Sequence, residues 1–334
     1  MALALAGRGL GFCDGRPFLM MSYWQLLQLI LPVFALIAIG VVVRRVHWIE
    51  GEAETSLLRL VVNVCFPCLI FESVTGNAAL QAANNVVLPP LMGFVATAGG
   101  ILLARVVGRW AGLTVGTGLR TFALTAGIAN YGYLPLPIMA GIWGPESRGV
   151  LLVHNVGVEA ALWTVGVLVL SGLSLREGWR KLVNPIVITL VVALILNFAG
   201  AAPYLPKILI DLVHSLAVCA IPLGVLMTGV SLANYLGDVR ALVQPKIALW
   251  ACLVRLVMLP LLILAAAKWL PLSVELKRVL LVQAAMPAAV VPIIVARHYG
   301  GQPLTAVQIV LGTTGLGLLT IPLWLRLGLA WLGV

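Results

Sequence analysis

The sequence is poor in charge. Of its 334 residues only 10% are Asp, Glu, Lys or Arg, where ordinary soluble domains carry about a quarter. Acids are the scarcest, 11 against 21 Lys and Arg, which leaves a net charge of +10. So little charge excludes a solvated globular chain of this size. It also excludes a soluble ATP-binding module, and no G-x-x-x-x-G-K-[ST] loop occurs. Neither a paired-acid signature nor a cluster of metal-ligating residues is present, so hydrolysis and group transfer have no residues to run on. The expectation is a protein that is not an enzyme and needs no cofactor or metal. The basic residues form no stripe. They fall in short connections between apolar runs, which excludes nucleic acid as a partner.

Cysteine is also sparse. Four of the five, Cys65, Cys68, Cys219 and Cys252, lie inside apolar runs and only Cys13 does not. Buried thiols there act as small packing residues. "CFPC" (Cys65 to Cys68) has redox-motif spacing but lacks the βαβ context, so packing is the expected role.

What the chain has is hydrophobic length. Apolar residues make up 62% of it, with a mean hydropathy of +1.10. A run of about 20 apolar residues crosses the roughly 30 Å hydrocarbon core of a bilayer. Reading the runs against turn and charge signals predicts ten spans, at 23–43, 56–75, 86–108, 119–142, 149–173, 184–200, 206–232, 246–269, 278–298 and 304–332. Residues 1–21 read as a mobile tail. The tail lacks the continuous apolar core of a signal peptide, and Met20 or Met21 is an alternative start. Connections after odd-numbered spans hold Arg44, Arg45, Arg105, Arg109, Arg120, Arg176, Arg180, Lys181, Arg240, Lys246 and Arg297. Those after even-numbered spans hold Arg148, Lys207, Lys268, Lys277 and Arg278. The excess puts the odd side in the cytoplasm and both termini outside, in a cell inner (plasma) membrane.

The fourth run, "LTAGIANYGYLPLPIMAGIWG" (Leu124 to Gly144), carries Pro135 and Pro137 at its centre. Two prolines that close cannot both sit inside an unbroken helix. The ninth run, "MPAAVVPIIVARHYG" (Met286 to Gly300), carries Pro287 and Pro292. Pro67 and Pro222, Pro90 and Pro245, and Pro137 and Pro292 are each separated by 155 positions. The shared offset points to a duplicated half of five spans. Because five is odd, the second half inserts upside down. The expected fold is an all-α polytopic membrane protein of ten transmembrane helices in two inverted five-helix repeats, 22–173 and 184–334, whose fourth and ninth helices are broken. A matched pair of broken spans is the best pointer to a site at mid-membrane. Their free N–H ends carry positive partial charge and attract anions.

"NYGYLPLPI" (Asn130 to Ile138) and the Met286–Gly300 stretch resemble the two crossover motifs of the auxin efflux carrier family. "ILPVFALIAIGVVVRR" in the first span and "VVNVCFPCLIFESV" in the second resemble it too, and the likeness covers 22–334. The family includes plant auxin exporters and bacterial permeases of malate- and malonate-type carboxylates, with a fold shared with bile acid/sodium symporters. The resemblance implies a scaffold of spans 1, 2, 6 and 7 (23–75 and 184–232). It also implies a mobile transport domain of spans 3–5 and 8–10 (86–173 and 246–332), an elevator-type motion and a homodimer. It matches Asn130 to the asparagine that meets the substrate carboxylate, and Pro137 and Pro292 to the crossover prolines. The connection at about 174–183 is short, as in bacterial members, so plant auxin itself is not the expected cargo.

Ionisable groups at membrane depth need a reason, since each costs roughly 2.5–3.5 kcal/mol at the centre of a span. Arg255 in span eight can pair a carboxylate through two hydrogen bonds, or else reach an interface or a helix end. In span five, His154, Asn155 and Glu159 form a candidate proton-coupling group, with Asn155 and Glu159 on one helix face. A pairing of Glu159 with Arg255 is the plainer alternative. Asp211, His214 and Glu72 read as interfacial. Gln283 lies just before the ninth-span break. Ala288 and Ala289 stand there in place of acids, which argues against a dedicated sodium site. The expected substrate-binding set is therefore Asn130, Tyr131, Pro137, Arg255, Gln283, Ala288 and Pro292, with Pro135 and Pro287 shaping the crossover. The expected partners are a small organic anion, the lipid bilayer and, in a coupled version, H+ or Na+. Export or uniport driven by membrane potential leads. A proton- or sodium-coupled symporter and a membrane sensor or assembly subunit that moves nothing are the alternatives.

Overall fold

A computed structural model describes residues 21–171, 184–236 and 245–334. Residues 1–20 of the expected tail, with Cys13 and Met20, the connection with Arg176, Arg180 and Lys181, and Arg240 lie outside the described residues. Within them the chain is helical, and regular secondary structure other than helix is limited to one isolated antiparallel bridge between Ala129 and Ala288.

Seven helices are long and apolar enough to cross a membrane. They are α1 (Tyr23–Arg45), α2 (Gly51–Val74), α3 (Asn84–Trp110), α6 (Pro145–Ser171), α8 (Lys207–Ala233), α9 (Pro245–Trp269) and α12 (Pro303–Leu332). The sixth predicted span is α7 (Pro185–Phe198), an apolar helix of 14 residues, roughly 21 Å long at 1.5 Å per residue. The fourth and ninth runs are each two short helices: α4 (Leu119–Gly127) and α5 (Pro135–Trp143), then α10 (Val274–Ala285) and α11 (Val291–His298).

Local chemistry explains where these helices start and stop. Ser22 opens α1 with a capping box in which its hydroxyl accepts from Gln25 N and the Gln25 side chain accepts from Ser22 N. Arg44 and Arg45 close it, complementing the negative end of the helix. Asn184 and Ser273 cap α7 and α10 through their side chains. Helices α2, α6 and α9 each widen by one π turn, at Val61–Cys65, Leu162–Gly166 and Val254–Met258. Pro260 follows the last of these, and a proline there removes the amide that would bond the carbonyl four residues back. That carbonyl, Leu256 O, instead accepts from Trp324 Nε1 of α12 at 2.7 Å.

Packing sorts the helices. α1 lies along α8, and α2 packs on both α7 and α8. α3 packs on α4 and α6, α9 on α10 and α12, and α12 also touches α4 and α11. Contacts of α1 with α12 and of α2 with α6 join the two groups. The outer faces carry exposed Leu102 and Val106 on α3 and Ile188, Val191 and Ile195 on α7, an apolar surface suited to lipid. The Gly/Thr-rich start of α12 allows close approach. Gly312 lies against Ala248 of α9 and Gly317 against the Pro287 ring.

Candidate functional site

Helix α4 ends at Gly127, and Ile128 leaves it in an extended conformation. Helix α10 ends at Ala285, and Met286 does the same. The two extended pieces run antiparallel. Asn130 N donates to Pro287 O at 2.7 Å, and Ala289 N donates to Ile128 O at 3.0 Å. Each break thus satisfies part of the backbone of the other, the condition for irregular chain at membrane depth. A third donor, Ala288 N, reaches Thr313 Oγ1 of α12 at 3.2 Å. Gly127 lets α4 approach so near: a side chain there would lie 2.5 Å from the Ile101 backbone.

The prolines do not all sit where the chains cross. Pro287 is in the crossing strand, but Pro135 is the first residue and Pro137 the third of α5, and Pro292 is the second of α11. First-turn positions have no intrahelical use for an N–H, so the prolines begin these helices without cost. Neither N-terminus is capped by a side chain, the preceding residues being Leu134 and Val290. The opposite helix ends are covered by protein donors. Arg255 Nη2 donates to Gln283 O at 3.3 Å, near the C-terminus of α10. Just past the break, Tyr131 O accepts from Asn155 Nδ2 at 2.8 Å and from Gln283 Nε2 at 3.3 Å. Pro135, Pro137 and Pro292 bring no N–H, and Leu136 N and Ile293 N already donate to Gly132 O and Val290 O at 3.4 and 3.0 Å, so what the two helix starts offer a negative charge is the positive end of the helix dipole.

Of the residues singled out from the sequence, Asn130, Tyr131, Asn155, Glu159, Gln283, Pro287 and Ala288 come together here. Asn130 is buried at 7% exposure, and its side-chain amide makes no hydrogen bond within the described residues. The Gln283 amide also donates to Asn155 Oδ1 at 3.2 Å. Tyr131 Oη donates to Glu159 Oε1 at 2.5 Å, and Trp163 Nε1 donates to Glu159 Oε2 at 2.8 Å. Glu159 forms no ion pair with Arg255, which lies behind the crossing. Arg255 and His154 share a cavity of about 20 Å³ with Thr97, Gly127, Ala129 and Gln283. His214, read as interfacial, contacts Glu72 at 2.5 Å. Among the described residues no group of His, Cys, Asp and Glu could hold a metal ion. A larger surface hollow of about 620 Å³, walled by Arg44, Arg45, His47 and Asn234, lies at the ends of α1 and α8 and not at the crossing.

Four contributors escaped the sequence reading. Trp163 stands four residues after Glu159 on α6, a same-face spacing that could have marked it, whereas Thr313 joins only because α12 brings it to the site, with no local signal. Thr97 reaches the cavity the same way, from the middle of α3. Tyr133 carried a signal, being part of the N-Y-G-Y stretch. Its ring stacks edge-on with Phe66 of α2 at 5.3 Å and lies directly on Gly224 of α8.

The sequence profile of a family described as membrane transport protein matches residues 25–178 and 172–325. An uncharacterized transporter of Methanothermobacter thermautotrophicus is 31% identical over 158 residues, 46% of this chain and 50% of that protein. The chain thus spans about half the length of that relative. An uncharacterized transporter of Methanocaldococcus jannaschii is 22% identical over 312 residues, 89% of this chain and 97% of that protein.

Proposed function

From the premise that the chain belongs to the membrane transport protein family, the auxin efflux carriers whose motifs it resembles, we propose that it is a secondary carrier for a small organic anion, a carboxylate. One observation carries the reading: two broken spans pair backbone to backbone at Ala129 and Ala288, with uncapped helix N-termini beside them and the unoccupied amide of Asn130 between. A carboxylate accepts hydrogen bonds and brings the negative charge that such ends favour. Gln283 and Tyr131 frame the place it takes, with Ala288 as its floor and Pro137 and Pro292 holding the first turns that point at it.

The ten spans form two inverted five-helix repeats in this reading, related by the 155-residue proline offset. Spans 1, 2, 6 and 7 are the scaffold, and the remaining six slide past it as an elevator. The packing of α1 on α8 and of α2 on α7 and α8 supports that grouping. The Tyr133–Gly224 contact marks the sliding surface. An interior-negative potential drives anion exit by about 2.3 kcal/mol per charge per 100 mV, so export through an inner membrane with both termini outside needs no coupled ion. A homodimer joined through the scaffolds completes the picture.

The test is Asn130→Ala in proteoliposomes loaded with a panel of radiolabelled carboxylates. Flux falls to background while expression and size-exclusion profile hold. Wild-type flux in the variant would overturn the assignment.

A second reading has its own observation. The Glu159 carboxyl is held by Tyr131, a residue of the break itself, and by Trp163. A proton taken up there would be felt at the crossing, which makes Glu159 the residue of proton-coupled transport, with His154 and Asn155 on the turn before it. Uptake driven by an inward proton gradient in wild type and lost in Glu159→Gln selects this version. Flux indifferent to pH at clamped voltage rejects it.

A further inference from the structure

Among the described residues Arg255 is the largest fully buried side chain, 2% exposed, and it is a charge. Its Nε has no partner, and its Nη2 has one modest bond, 3.3 Å to Gln283 O. Among the described residues no carboxylate pairs with it; the acid–base pairs are His47–Glu50 and His214–Glu72, both elsewhere. Glu159 has both oxygens engaged by Tyr131 and Trp163. A buried guanidinium without a counter-ion is strongly unfavourable, and a chain keeps one where it does something. The C-terminal end of α10 supplies only about half a negative charge.

The cavity beside Arg255 has room for about 20 Å³, one water and not a dicarboxylate. In this conformation Arg255 does not grip cargo directly. Its field nonetheless acts through space on the crossing, which lies against it, and one residue links the two. Gln283 holds the guanidinium with its backbone carbonyl, and with its side-chain amide holds the first break at Tyr131 O and the neighbouring Asn155 Oδ1 of α6. Ala129, half of the bridge between the breaks, lines the same cavity.

We propose that Arg255 is the fixed counter-charge of the crossing, a positioning residue that sets how many negative charges the cargo carries while acting through Gln283 and never touching it. Water is largely excluded between them, so the positive potential is weakly screened. A dianion gains from it twice what a monoanion does, and an uncharged isostere gains nothing. This rests on the anion-carrier reading above.

The experiment compares KM for a dicarboxylate, its half-amide and its diamide in proteoliposomes. The proteins are wild type, Arg255→Lys, Arg255→Gln and Thr97→Asp. The last keeps the arginine and sets a carboxylate on the wall of its cavity, so the charge is cancelled without emptying the site. Arg255→Gln and Thr97→Asp raise KM for the dicarboxylate at least tenfold and for the half-amide less, with the diamide and kcat little changed. Arg255→Lys restores most of the loss. Equal KM rises for all three compounds, or dicarboxylate KM unchanged in the neutralised variants, would overturn the inference while leaving the carrier reading intact. If Arg255→Gln fails to fold, Thr97→Asp and Arg255→Lys carry the same comparison. A wild-type protein that moves none of the three overturns both.

Discussion

Thr313 does two things with one hydroxyl. It donates to Ile309 O, one turn back on its own helix, at 2.7 Å, and accepts from Ala288 N. Without it a buried amide in the crossing strand loses its acceptor, and such a loss costs about 1–3 kcal/mol. Thr313→Val preserves the shape and removes the oxygen, so a lower thermal midpoint in detergent and a sharp fall in flux are expected, with Thr313→Ser close to wild type. Trp324→Phe isolates the same effect away from the site. It leaves Leu256 O unpaired at Pro260 and lowers stability by about 1 kcal/mol, with cargo affinity unchanged in a binding titration. The contrast separates a backbone partner at the crossing from one that only repairs a helix.

At the scale of the element, the two broken helices show why prolines mark the breaks without making them. Pro135, Pro137 and Pro292 occupy first turns, where they favour a fresh start. The stops before them are Gly127 and Ala285, each followed by extended chain. α4 ends at Gly127 pressed on the α3 backbone, since any Cβ there meets Ile101 N and Cα at 2.5 Å. Gly132, five residues on, faces nothing within 4 Å. Gly127→Ala therefore destabilises by about 1–3 kcal/mol as overpacking against backbone, and Gly132→Ala stays within about 0.5 kcal/mol. Paired melting curves of the two variants check this. Equal losses would mean that α4 and α3 are not in contact at that point.

For the whole molecule, the elevator reading predicts that the Tyr133–Gly224 contact breaks in every cycle. In a cysteine-free background, Tyr133→Cys with Gly224→Cys joined by a short reducible dithiol reagent should arrest transport, and reduction should restore it. Undiminished flux in the cross-linked protein would mean that the two surfaces do not slide. The same view explains how much was legible beforehand. Long apolar runs and the clusters around Pro135 and Pro287 are local, so the membrane class and the position of both interruptions could be read directly. Asn155 and Glu159 are four apart, and helix geometry alone puts them on one face.

Partner choice was only partly local. Glu159 meets Trp163 one turn on along its own helix, but its other partner is Tyr131 in the break and not Arg255. Arg255 could have faced a carboxylate; among the described residues its one hydrogen bond is to the Gln283 carbonyl, beside a cavity of about 20 Å³. Composition and helical period determined, from sequence alone, that this chain lives in lipid and where its helices fail, because hydrophobic length and proline geometry act within a few residues. Only the tertiary structure decided that the two failures meet, that Thr313 completes them and that the buried guanidinium stands unpaired. Those facts depend on which segments, from 25 residues apart for Thr313 and Ala288 to more than 150 for Ala129 and Ala288, pack together once the backbone has nowhere else to find its hydrogen bonds.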